Sequence, residues 1–136
     1  MRRGGVHLLL PRLFFVLFLA TACVSTEGIP KCVVITRADN GKSIAVSAWQ
    51  TFQVRLKEPG GTGYMWHIVD LDKAHLKRVS SAYRPIGRGN TAGAPILRIW
   101  DIKALKKSKT YLSLLLFRPS GTGKPADSFR VAINIE

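Results

Sequence analysis

The sequence predicts an all-β domain, a two-layer sandwich of about seven short strands. Three observations predict it. Apolar residues alternate with polar ones at period two in several short runs. Glycine- and proline-rich stretches separate those runs. No segment after residue 22 carries a convincing helical pattern. At 136 residues the chain has room for one domain.

Residues 1–22 read as a secretory signal. Arg2 and Arg3 supply positive charge, and an apolar run follows. It is interrupted at Pro11-Arg12 and is then continuous over 13–20. Thr21 and Ala22 are small and stand directly before Cys23. The run is too short to cross a bilayer, which takes about 20 apolar residues. Leu19-Ala20-Thr21-Ala22-Cys23 resembles a bacterial lipobox, with the aliphatic Leu19 one place early. Its expected outcome is a lipidated Cys23 at a new N-terminus. Cys32 would then be a lone thiol. Ordinary cleavage would instead leave Cys23 and Cys32 free to pair in an oxidising compartment.

The division expected is therefore a signal peptide at 1–22, a polar tether at 23–31 and a β-sandwich at 32–136. Removal of the signal takes three arginines from a chain of formal charge +13 and leaves +10. Such a balance favours acidic surfaces. Its densest cluster is Lys103, Lys106, Lys107 and Lys109, read as a turn between strands. The basic residues are otherwise scattered, and no nucleic-acid partner is expected.

Within the domain, Cys32-Val33-Val34-Ile35-Thr36 is a β-branched run. Asp39-Asn40-Gly41-Lys42 signals a turn. Ile44, Val46 and Ala48, then Phe52, Val54 and Leu56, alternate with polar partners. Trp49-Gln50-Thr51 breaks the phase, which predicts a bend or bulge. Pro59-Gly60-Gly61-Thr62-Gly63 must be a loop. Strand character returns over 64–69. Residues 70–78 fit either a short helix or a loop with a brief strand. A second long loop is expected over 84–95, with Pro85, Gly87, Gly89, Asn90, Gly93 and Pro95. Strands follow at 96–102 and 110–117. A third Gly/Pro loop, 119–125, precedes the alternating run Phe129, Val131, Ile133, Ile135. Strands at this spacing, in a domain of this length, suit an immunoglobulin-like sandwich.

Catalytic chemistry is not in evidence. His67 and His75 have no Cys or carboxylate at metal-ligand spacing and read as surface or strand-edge residues. No serine has a nucleophile-elbow context. Gly121-Thr122-Gly123-Lys124 fails as a phosphate loop, because Arg118 stands where the first glycine belongs and Pro125 where Ser or Thr belongs. The chain is read as no enzyme and as needing no metal or cofactor. Three glycine-rich loops on a regular β frame point to binding.

Three segments carry a family resemblance. Phe52-x-Val54-x-Leu56 leading to Thr62-Gly63-Tyr64-Met65-Trp66 resembles the second strand and first loop of the chagasin-like inhibitors of papain-type cysteine proteases. Trp100-Asp101-Ile102-Lys103-Ala104-Leu105, running on to Leu114-Leu115-Leu116-Phe117-Arg118-Pro119, resembles a later stretch of that family. Lys124 through Val131 is similar to its ending. The similarity runs from Val34 to Ile135.

The resemblance implies an immunoglobulin-like sandwich that inserts three loops into a protease cleft. It assigns Thr62, Gly63 and Tyr64 to the first loop, followed by Trp66, which is also a core position by pattern. It assigns Gly93 to the second loop, with Gly87 and Gly89 as alternatives, and Arg118 and Pro119 to the third. Two departures stand out. Pro59-Gly60-Gly61 replaces the family's Asn-Pro, and Ser120 replaces a tryptophan. The expectation is a monomeric, reversible inhibitor of papain-like cysteine proteases. It would be lipid-anchored in the bacterial envelope through Cys23, at the outer membrane, or periplasmic. The alternative is an envelope-anchored immunoglobulin-like module without inhibitory activity, which binds acidic glycans or proteins through its basic surface.

Overall fold

A computed structural model describes residues 31–87, 91–121 and 123–136. The expected signal at 1–22, Cys23, most of the tether and Gly89 lie outside these residues. Among the described residues there are eight strands: β1 (Val34–Thr36), β2 (Ser43–Val46), β3 (Thr51–Glu58), β4 (Met65–Leu71), β5 (Leu76–Pro85), β6 (Ile96–Ala104), β7 (Ser108–Phe117) and β8 (Asp127–Ile135). One sheet has the order β1-β3-β6-β5 and the other β2-β8-β7-β4. The all-β sandwich expected from the sequence is the fold observed.

Alternation builds the core. Phe52, Val54 and Leu56 point inward from β3, opposite Ile102, Trp100 and Arg98 of β6. Leu112, Leu114 and Leu116 of β7 and Phe129, Val131, Ile133 and Ile135 of β8 close the layer from the second sheet. Each such side chain contributes about 1.5–3 kcal/mol by leaving water. This face-to-face burial is what holds the sheets together.

The break at Trp49 is a change of sheet rather than a bend within one strand. β2 pairs in parallel with β8 in the second sheet, whereas β3 pairs with β6 in the first. Trp49 makes the crossing with φ +68°. The Trp49 N–H donates to Ala104 O at 2.9 Å, and the Ala104 N–H donates to Gln50 O at 2.9 Å.

Residues 70–78, open in sequence, resolve into the end of β4, a turn and the start of β5. Asp72 organises the turn. Its carboxylate accepts from the Ala74 N–H at 3.1 Å and from Thr110 Oγ1 at 3.1 Å, and pairs with His75 Nδ1 at 2.6 Å. The expected loop at 84–95 begins two residues later, because β5 runs through Pro85. From Lys77 onward β5 is exposed on both faces, so the second sheet does not cover it.

Candidate functional site

Strand register places three loops at one end of the sandwich. Glu58 and Pro85 both stand opposite Ile96, so the 59–64 and 86–95 loops leave from the two strands that flank β6, at the same end of one sheet. Met65 stands opposite Phe117 and Leu116 opposite Asp127, which brings the 118–126 loop to the same end of the other sheet.

The first loop is a pinned turn. Thr62 Oγ1 donates to Pro59 O at 2.9 Å and accepts the Tyr64 N–H at 3.3 Å. Gly61 and Gly63 have φ of +69° and +79°, where a side chain is strained. Gly60 has a different task. A Cβ there would lie 1.9 Å from the carbonyl oxygen of Ala94, so the first loop rests directly on the backbone of the second. Gly93 forms the tip beside it at φ +81°. The Ala94 N–H donates to Thr91 O, and the Ile86 N–H to Pro95 O closes the neck of the second loop.

The third loop leans on the first. The Arg118 guanidinium lies 4.8 Å from the centroid of the half-buried Tyr64 ring, a cation–π contact. The Gly121 N–H donates to Arg118 O at 3.0 Å and turns the chain, leaving Pro119 and Ser120 exposed.

Beneath the loops sits a brace. Glu58 is 2 % exposed. Its carboxylate accepts from Arg98 Nε at 2.8 Å and from the Trp66 N–H at 3.2 Å. Trp66 is 5 % exposed and its indole N–H donates to Lys57 O at 2.9 Å. Glu58 therefore ties β3 to β6 within one sheet and to β4 of the other at the base of the first loop.

Of the residues the sequence singles out, Thr62, Gly63, Tyr64, Gly93, Arg118 and Pro119 gather at the loop end. Trp66 faces inward and supports the first loop from below rather than offering a surface. Gly87 lies in the second loop at φ +98°, with open space around it. Gly60, Ala94, Glu58 and Arg98 were missed. Glu58 was findable, because it continues the inward series Phe52, Val54, Leu56 and is the one charged member. His67 stacks on Phe117 at 4.3 Å on the outer side of β4, and its Nε2 has no protein partner. Among the described residues no cluster of three His, Cys, Asp or Glu side chains could hold a metal.

A rigid sandwich that concentrates three mutually braced loops at one end defines a binding domain whose contact surface is the loop rim. The pattern of the chagasin family of peptidase inhibitors (I42) matches residues 45–135. The solved structure of EhICP2, a cysteine protease inhibitor from Entamoeba histolytica, superposes with a TM-score of 0.70 at 21% identity, over 77% of this chain and 96% of that one. Amebosin follows with a TM-score of 0.66, 16% identity and coverage of 77% and 98%. PbICP-C, solved in complex with falcipain-2, gives 0.52 at 17% identity, over 79% and 93%. No curated protein sequence matches the chain. The chain belongs to the chagasin family of peptidase inhibitors, a family of inhibitors and not of enzymes.

Proposed function

We propose that this protein is a reversible, one-to-one inhibitor of papain-like cysteine proteases, which it blocks by wedging its loop end into the active-site cleft. The observation that carries the reading is the mutual bracing of the loops: Gly60 against Ala94, and Arg118 over Tyr64. Loops already held in shape lose little entropy on docking. Glycine at the tips lets backbone approach a narrow cleft. Thr62, Gly63 and Tyr64 would meet the catalytic centre, flanked by the tip at Gly93 and by Arg118-Pro119. No bond is made or broken, so inhibition needs only fit. Falcipain-2, bound by PbICP-C, is a partner of the kind expected here.

We place the protein in the bacterial envelope, anchored at the outer membrane by lipid on Cys23. Val24 at the following position does not look like an inner-membrane retention signal. A diacylglyceryl adduct on Cys23, read by mass spectrometry of membrane-extracted protein, is the expected result. An unmodified N-terminus removes the anchor.

The test is a titration of residues 24–136 against papain, with Gly63→Glu and Tyr64→Ala alongside. Inhibition at or below micromolar corresponds to about −8 kcal/mol or better. Truncating an interface anchor costs on the order of 2 kcal/mol, about 30-fold, so Tyr64→Ala should weaken inhibition by roughly that factor. Ser120, where the family has an aromatic, and Pro59-Gly60-Gly61, where it has Asn-Pro, favour a second reading: a binding module without inhibition. A folded domain inert toward papain at tens of micromolar would establish that reading instead.

A further inference from the structure

We propose that the end of the sandwich opposite the loops is a membrane-facing surface, seated on an anionic lipid bilayer through Trp49 and a surrounding set of lysines. Trp49 is 65 % exposed, whereas Trp66 and Trp100 are 5 % and 4 % exposed. Its backbone is left-handed at φ +68°, an outlying conformation for a bulky residue. Hydrogen bonds to and from Ala104 on either side of it hold that conformation in place. A strained backbone thus presents a large aromatic to solvent, where the domain's own packing gains little from it. An indole with an apolar body and a polar edge suits the headgroup zone of a bilayer.

The charge around Trp49 has the sign that fits. Lys103 Nζ lies 5.7 Å from the ring centroid. Lys103 stands directly opposite Lys77 across β6 and β5, a like-charge pair that repels until an anion joins it. Lys106 and Lys107 are exposed in the adjoining turn. Lys31 and Cys32 line the same shallow groove as Trp49, and Gln50 Nε2 donates to Lys31 O at 2.9 Å. Of the acids at this end, Asp72 is engaged with His75 and Thr110 and Glu136 with Asn134; the exposed Asp70 shares a pocket with Lys73, Lys77 and Arg78, whose positive charges outnumber it. The segment that precedes Lys31, and with it the Cys23 anchor, joins the domain at this surface. A protein seated there carries its three loops away from the bilayer.

The inference rests on the envelope location proposed above, and its test does not need the lipid. EhICP2 and amebosin are matched over 96% and 98% of their lengths, so in those two solved structures the sandwich stands as a unit of its own. Residues 24–136 are mixed with vesicles of phosphatidylcholine, alone or in equal parts with phosphatidylglycerol, and tryptophan emission is followed. The emission should shift to the blue with the mixed vesicles only, and the shift should fade as salt rises. Each lysine near an anionic surface contributes about fivefold, so the pair Lys106→Gln and Lys107→Gln should weaken partitioning about 25-fold. Trp49→Gly relieves the strained φ and, followed by vesicle co-sedimentation because the reporting indole is gone, should lose most of its binding to the mixed vesicles. Gly63→Glu, at the other end, should leave the shift intact. No shift, an equal shift with phosphatidylcholine alone, or loss of binding in Gly63→Glu overturns the proposal. Papain titration of the same preparations separates the two readings. Vesicle binding without inhibition sinks the inhibitor alone, and inhibition without vesicle binding sinks the membrane face alone.

Discussion

Gly60 shows how one missing side chain shapes the contact surface. The sequence marks 59–63 as a loop but does not say which glycine is required by contact. Gly63 has the left-handed φ, yet a Cβ there would meet Arg118 at an ordinary 3.7 Å. Gly60 has no such φ, yet its Cβ would fall 1.9 Å from a backbone oxygen of another loop. Backbone cannot swing aside as a side-chain tip can, so Gly60→Ala must push the first and second loops apart. Overpacking of this kind costs about 1–3 kcal/mol, or roughly 5–15 °C in Tm for a domain near 100 residues. Thermal unfolding of Gly60→Ala should show that drop, and Gly63→Ala a smaller one of about 1–2 kcal/mol from φ alone. Equal Tm values for Gly60→Ala and the parent would mean that the two loops do not rest on each other. The contact was not legible because its other half, Ala94, comes from a loop with no sequence signal of its partner.

At the scale of elements, the pattern read from sequence works wherever a strand has one buried face. β7 and β8 alternate cleanly and lie within two residues of the sequence reading at each end, as does the end of β3. β5 escaped because it has no buried face beyond Leu76; Lys77, Arg78, Ser80 and Ser81 carry no period for a reader to find. The long alternating stretch from Ile44 to Leu56 was legible as strand, but not as two strands in different sheets. Alternation reports which side of a strand is buried and says nothing of which sheet it joins. Glu58 is the informative exception within β3: a carboxylate in an apolar slot, matched by Arg98 on the neighbouring strand at 2.8 Å. Removal of one partner from a buried pair leaves the other uncompensated, at a cost of about 3–5 kcal/mol. Glu58→Ala also strands the Trp66 N–H. Urea unfolding should show a loss of that size, and Glu58→Leu combined with Arg98→Met should be less destabilised than Glu58→Ala alone. If the double variant instead loses the sum of the single losses, the two side chains do not act as a pair.

Over the whole molecule, two carboxylates fasten the frame on which both ends depend. Asp101 on β6 accepts from Ser80 of β5 and Gln53 of β3, and so spans three neighbouring strands. Asp72 joins the β4–β5 turn to β7 through Thr110. Hydrogen bonds from Ser80 and then Gln53 hold the Asp101 carboxyl below its ordinary 3.8. The bond with His75 is the largest cause that does the same for Asp72. A group whose folded pKa is depressed binds fewer protons in the folded state than in the unfolded one, so stability rises with pH across that window. The contribution is complete above the unfolded value near 4 and is lost as pH falls through the lower folded value. Acidification also adds positive charge to a chain that is already basic, and self-repulsion grows in the same direction. Midpoint temperatures should therefore be level from neutral pH down to about 5 and fall steeply below about 4. Asp101→Asn and Asp72→Asn, each less stable than the parent at neutral pH, should show a shallower acid fall, so that the curves converge. Parallel curves would place the acid sensitivity in other carboxylates and reduce these two to ordinary surface hydrogen bonds.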